Sequence, residues 1–446
     1  MNHFFHKPAR ALPVISFLLC AITMQAQEKP QTTYVLSIQD AVQMAKNNND
    51  HITAAKLNRD VSGSELKEVK SHALPHVAVK GFTKRLTNAT LYESGGLSDA
   101  KSVPPPPASY QANLEVEAAF NLYSGGKHEA SIKEFEVKTK MADVSVLQQQ
   151  GSISLQVVQH YLEILRMSQL DSLYKEQINR EKIRLKNINS LYANGKVTRS
   201  DLLRAEINLS NQEFAKKENE SDIDIYHNRL NVLLHLPEET KVVLSDSTVV
   251  KNLPPLNTME IPSEKGAFTL QQASLSTALQ LAKVKGANSN YYPTIELFAA
   301  YGFNYPNYLV YPYIAHAYSI GFVGVRLQYD VSSLYQNNHK VAAEKQRLQE
   351  IKVDESAARD EIRLQITSLQ TKMGDMRDKI ALAQKNIEQS QVNYKIVSTK
   401  YFNQLALLTD LLEADNIYLQ SKYKLIEAQT SLLNYYYQIL YTTGKI

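Results

Sequence analysis

The hydrophobic period changes along the chain. From Ser37 to about Asn49, Ile38, Val42 and Ala45 share one helical face. A second helix is predicted from about His51 to His72, stopped by Pro75, because proline disfavours helix in the residue before it. There the period drops to two. Val77 and Val79 alternate with His76, Ala78 and Lys80, which predicts a strand. Thr87 to Ser109 reads as a polar loop ending in Pro104-Pro-Pro-Pro107. Alternation returns with Leu114, Val116, Ala118, Phe120 and Leu122 on one face, and Asn113, Glu115, Glu117 and Asn121 on the other. Apolar side chains facing lipid and carboxylates facing a wet lumen give this pattern.

Ser124-Gly-Gly126 breaks the strand. From Lys127 to about Tyr192 there is no proline and one glycine, Gly151. At 1.5 Å per residue such a helix is on the order of 100 Å long, more than a compact domain needs. Ala193-Asn-Gly195 supplies the stop, with glycine where a helix ends. A return helix is predicted from near Ser200 to before Pro237. Its seam runs Leu203, Ile207, Ser210, Phe214, then Ile223, Tyr226, Leu230, Leu233, a coiled-coil spacing. After a Pro-containing connector, a helix from about Phe268 to Asn290 leads to Pro293 and a strand carrying Ile295, Leu297 and Ala299. A Tyr/Pro-rich loop over about Asn304 to Ile314 precedes a strand with Val323, Val325, Leu327 and Tyr329. A second long helix, from about Gln336 to Phe402, again holds one glycine, Gly374. The closing helix has a heptad at Leu411, Tyr418, Leu425, Leu432 and Ile439, with small residues Ala414, Ser421 and Ala428 three positions on.

The two halves repeat each other. Tyr192-Ala-Asn-Gly-Lys-Val-Thr-Arg-Ser-Asp201 recurs 209 residues on as Tyr401-Phe-Asn-Gln-Leu-Ala-Leu-Leu-Thr-Asp410, and the segments around Pro75 and Pro293 match at an offset of 218. Two copies of one structural unit follow. The predicted division is a signal segment over 1–26, a first repeat over 34–236, a connector over 237–267 and a second repeat over 268–446. Four strands from two copies cannot close a barrel alone, and open edges are costly in hydrocarbon. The strands are therefore expected to be shared among subunits, with the helices forming a tube that continues the barrel.

Charge and composition narrow the function. The formal charge of +4 is small for 446 residues, and no basic stripe with interleaved aromatics points to nucleic acid. His3, His6, Lys7 and Arg10 precede an apolar run from Ala11 to Ile22, as in an export signal with a cut near Gln25-Ala26-Gln27. The single cysteine, Cys20, lies inside that run, and Leu19 before it is not the small residue a lipoprotein cut requires. Beyond the signal no apolar stretch is long enough for a membrane helix, so any crossing must use strands. No arrangement suggests a nucleophilic triad, a cofactor or a metal site. Pro75 separates His72 from His76, and Ser124-Gly-Gly-Lys127 lacks the spacing of a phosphate loop.

The chain resembles the outer-membrane efflux proteins, the TolC-like outer-membrane factors, from Ser37 to Gly444. The matching features are the Leu36-Ser-Ile-Gln-Asp-Ala-Val-Gln-Met-Ala-Lys helix, Leu74-Pro75 and Tyr292-Pro293 at the strand starts, Leu122-Tyr-Ser-Gly-Gly126 at the strand-to-helix turn, and Tyr192-Ala-Asn-Gly195 with Ser200-Asp-Leu-Leu203 at the helix tip. The resemblance implies an α+β membrane protein: a homotrimer with a twelve-stranded β-barrel and a periplasmic α-barrel. It also implies a passive efflux channel in the outer membrane rather than an enzyme. The implied partners are outer-membrane lipid, a periplasmic membrane-fusion adaptor and an inner-membrane transporter of RND or ABC type. A channel for type I protein secretion and a periplasmic coiled-coil scaffold are the alternatives.

The same resemblance places a periplasmic gate at Tyr401, Asp410, Glu413 and Asp201. Glu413 replaces a second aspartate and Ala406 stands at the family's arginine. Asp201 and Asp410 are equally suited to capping helices after the turns. Gly195, Lys196, Val197, Gln404, Leu405 and Ala406 form the expected adaptor-contact tips, and the missing glycine in the second tip predicts a different turn. Ten of 26 tyrosines fall between 291 and 335, as in an aromatic girdle at a membrane interface.

Overall fold

A computed structural model describes residues 33–237, 240–245 and 262–446, apart from 93, 94 and 96. The signal segment with Cys20 and residues 246–261 of the connector lie outside the described residues.

Local chemistry sets the first elements. Ser37 caps α1 (Ile38–Asn48) in a reciprocal box: Ser37 Oγ accepts from Asp40 N–H, and Asp40 accepts from Ser37 N–H. Asn49 ends α1 and starts α2 (Asp50–Ser71), its Oδ1 accepting from His51 N–H at 3.0 Å while its amide donates to Leu233 O at 3.1 Å. The strand β1 (Thr33–Leu36) pairs in parallel with β6 (Lys241–Leu244). Neither strand was expected, and β6 falls in the supposed connector. The loop before β5 is also more ordered than its polarity suggested: β3 (Ala89–Tyr92) and β4 (Ala100–Val103) form a hairpin within it.

The main sheet has the order β2-β5-β7-β8, antiparallel throughout, with β2 (His76–Arg85), β5 (Tyr110–Tyr123), β7 (Thr294–Tyr305) and β8 (Tyr318–Gln328). The two repeats meet at β5 and β7, leaving β2 and β8 as edges. The register puts like with like. Val79, Val116 and Tyr301 lie in one cross-strand row, and Leu297 pairs with Val325. This face is apolar and exposed, including Val77, Leu114, Phe303, Val323 and Leu327. The opposite face carries a Lys80–Glu117 ion pair, an Asn113–Asn304 hydrogen bond of 2.9 Å and Glu296 beside Arg326. With 10 to 14 residues each, all four strands reach the length that spans a bilayer at a tilt. No helix among the described residues is long and apolar enough to do so.

The long helices are continuous: α3 (Lys127–Ala193) has 67 residues and α6 (Ser333–Phe402) has 70, each about 100 Å. Helix α3 packs on α4 (Arg199–Leu234), α6 on α7 (Leu408–Thr442), and α5 (Phe268–Asn288) lies against both long helices. The main core gathers midway along the long helices and at the C-terminal ends of α4 and α7, where Tyr161, Leu162, Leu230, Leu234, Leu432 and Ile439 are buried and Tyr161 Oη donates to Leu36 O at 2.8 Å. The heptad of α7 holds, with Leu411, Tyr418, Leu432 and Ile439 buried and Ala414, Ser421 and Ala428 closing on their neighbours.

The predicted seam of α4 holds only in its upper part. Leu203, Ile207 and Phe214 are 45%, 60% and 72% exposed, whereas Leu230 of the seam is buried, and α4 also packs through Ala205, Asn219 and Leu234. Helix α4 has two apolar faces, and only one finds a partner within the chain.

Candidate functional site

The two helix tips are built alike. After α3, Gly195 takes φ +67°, and Lys196 N–H donates back to Leu191 O at 2.9 Å. This is the closing bond of a left-handed helix stop, the conformation that favours glycine. After α6, Gln404 takes φ +63° and Leu405 N–H donates to Lys400 O at 2.8 Å. The expected difference between the turns is absent. The duplicated hydrogen bonds impose the left-handed conformation on Gln404 despite its side chain.

Each tip restarts its helix with an aspartate at the third position. Asp201 accepts from Thr198 N–H at 3.0 Å and Thr198 Oγ1 at 2.7 Å, and Thr198 Oγ1 accepts from Asp201 N–H at 3.2 Å. In the second tip Leu407 replaces Thr198, so the box is halved: Asp410 Oδ2 accepts from Leu407 N–H at 3.1 Å. Asp410 and Glu413 both stay exposed. They are neighbours on one helix surface by spacing.

Tyr401 is separated from them by burial. It lies in a small tip core with Ile188, Ala205, Leu408 and Leu411, against which Val197 and Ala406 pack. Its hydroxyl has no hydrogen-bond partner among the described residues. Burial and then the charge of Asp201 push it above its ordinary value. The tips thus present Gly195, Lys196, Gln404 and Leu405 outward and use Val197 and Ala406 as anchors.

Behind the tips lies a buried polar cluster that the sequence reading missed. Arg184 donates to Glu181 Oε1 and Asp415 Oδ2, both at 2.5 Å, and Gln177 donates to the same two residues at 3.0 and 2.9 Å. All four are at most 4% exposed. Burial first, with the charge of Asp415 beside it, pushes the Glu181 carboxyl up against the pull of Arg184. Burial works against the Arg184 cation, but Asp415 and Glu181 more than offset it and hold it above its ordinary value. The signal in the sequence was Asp415 itself, an acid beside Ala414 within the Leu411–Tyr418 seam.

A family model described as outer membrane efflux protein matches residues 41–234. The resemblance read from the motifs holds there. Among curated proteins, none matches the chain. The fold is similar to that of VceC, an outer membrane protein from Vibrio cholerae, at 13% identity and a TM-score of 0.75, covering 91% of this chain and 96% of that one. It is similar to the CmeC outer membrane channel of Campylobacter jejuni at 15% identity and a TM-score of 0.72, covering 98% and 94%. The MtrE outer membrane channel of Neisseria gonorrhoeae matches at 15% identity and a TM-score of 0.72, covering 91% and 88%. At these identities the likeness concerns the fold, and it extends over the second repeat, which the family model leaves unmatched.

Proposed function

We propose that three copies of this chain form a passive outer-membrane channel that serves a tripartite efflux pump. The observation that carries this reading is the sheet: four membrane-length strands, one exposed apolar face, one charged face, and two unpaired edges. An edge in hydrocarbon leaves backbone groups unsatisfied at several kcal/mol each. Three chains would close twelve strands, and the open face of α4 at Leu203, Ile207 and Phe214 would be covered by the next chain's helices. The polar strand face would then line a wet barrel, continued by helices of about 100 Å into the periplasm. Tyrosines at both ends of β7 and β8, such as Tyr292 and Tyr329 at one end and Tyr305 and Tyr318 at the other, fit an interfacial girdle.

In this reading the tips around Lys196 and Leu405 meet a membrane-fusion adaptor, and an inner-membrane transporter supplies the energy. The exposed carboxylates of Asp410 and Glu413 ring the narrow end. The reading is tested by conductance of the purified protein in a planar bilayer. Discrete, long-lived steps are expected. Protein that binds the bilayer without conducting would contradict it.

A further inference from the structure

Where the strands meet the long helices, a cavity of about 540 Å³ is lined by polar and charged residues. Lys127 and Lys340 both line it, and neither has an ion-pair partner among the described residues. Asp330 is the only acid in the lining among the described residues. Its Oδ1 is already engaged, accepting from Ser332 N–H at 3.0 Å and Ser332 Oγ at 2.6 Å. Two cations against one carboxylate leave the cavity positive. Both long helices begin at its rim: Lys127 is the first residue of α3 and Ser333 the first of α6. Neither N-cap residue, Gly126 or Ser332, supplies a side-chain cap. The positive ends of two helix dipoles therefore add to the lysines.

A further feature points to a ligand. Ser333 lines the cavity, is only 7% exposed, and its hydroxyl has no hydrogen-bond partner among the described residues. A buried donor without an acceptor costs about 1–3 kcal/mol. The position of the cavity follows from the strand register. Thr294 and Gln328 line it and pair with each other. Two residues on, Glu296 and Arg326 pair on the charged face of the sheet. Side chains alternate along strands, so the cavity opens on the charged face and not on the apolar one.

We propose that this cavity is an anion site facing the channel interior, which takes phosphate- or carboxylate-bearing solutes as they pass from helical tunnel to barrel. The assignment of the interior rests on the channel reading above. Six lysines would ring the junction in a threefold assembly. The lumen would then carry a positive belt between the acidic tips and the barrel.

Inorganic phosphate is the probe. Its 31P line width, titrated against detergent-solubilised protein, reads the site without requiring conduction. Saturable broadening is expected, weakened about tenfold or more in Lys127→Gln/Lys340→Gln, the scale of one lost charge-assisted hydrogen bond. Ser333→Ala, which leaves every charge in place, is expected to weaken it by a smaller factor. Equal broadening in wild type and the double-lysine variant overturns the proposal, as does its absence from wild type. A second arm uses bilayers of phosphatidylcholine with or without phosphatidylglycerol. If phosphatidylglycerol raises the dissociation temperature, the lysine variant abolishes that rise and phosphate does not compete, the ligand is a lipid headgroup and the interior assignment falls. Phosphate binding without conductance would refute the channel and keep the site. Conductance without phosphate binding would do the reverse.

Discussion

Gln404 holds a left-handed backbone that costs a non-glycine residue about 1 kcal/mol. Gln404→Gly is expected to stabilise the second tip by roughly that amount, read as slower amide exchange over the tip turns. Unchanged or faster exchange would show that the Gln side chain contributes more than its strain removes. The buried cluster makes a sharper demand. Arg184→Met leaves Glu181 without its cation and Asp415 with only the longer contact to Arg180 at 3.6 Å, and is expected to cost about 3–5 kcal/mol, read in the denaturant midpoint. Glu181 adds a pH signature. A carboxyl raised in the folded chain binds its proton more tightly there than when unfolded. Its contribution is full below the ordinary value of 4.5 and is lost as pH rises through the raised value. The protein is therefore expected to lose stability on going upward through that window, and Glu181→Gln to flatten the loss. In the proposed channel the exposed pair Asp410 and Glu413 would ring the narrow end. Changing both to alanine is expected to weaken multivalent-cation block from the tip side and reduce cation preference. Lost stability of the proposed trimer with unchanged selectivity would move the pair from gate to scaffold.

At the scale of elements, the long helices and the α7 heptad were legible because their signals are local and repeat many times. The main strands were legible because alternation changed at prolines 75 and 293. Strands β1 and β6 were not: four residues such as Lys241-Val-Val-Leu244 give little alternation, and their pairing spans some two hundred residues of chain. The β3–β4 hairpin was hidden the same way by its short strands. In the candidate site, the capping role of Asp201 and the exposure of Asp410 could be anticipated from turn chemistry. The burial of Tyr401 could not, since a tyrosine suits a core and a lumen equally. Glu181 and Arg184 were passed over because charged residues on a long helix usually face solvent. The arrangement of elements also sets orientation. The β3–β4 hairpin and the tips lie at opposite ends of the proposed tube. A cysteine at Thr90 is expected to react with an impermeant reagent on intact cells, and one at Asn194 only after the outer membrane is breached. The reverse pattern would invert the assignment.

At the scale of the whole molecule, a single chain is incomplete in three places. Among the described residues the edges of β2 and β8 lack partners, the apolar strand face is bare, and the face of α4 at Leu203, Ile207 and Phe214 is open. Threefold assembly in a bilayer satisfies all three, with neighbouring chains covering the edges and helix face and lipid covering the strands. Sharing of strands between chains is the central claim, and the number of chains in the particle tests it most directly. Native mass spectrometry of protein extracted from membranes in mild detergent should count three copies that stay together until the detergent is stripped by activation. A stable, water-soluble single chain would contradict the account.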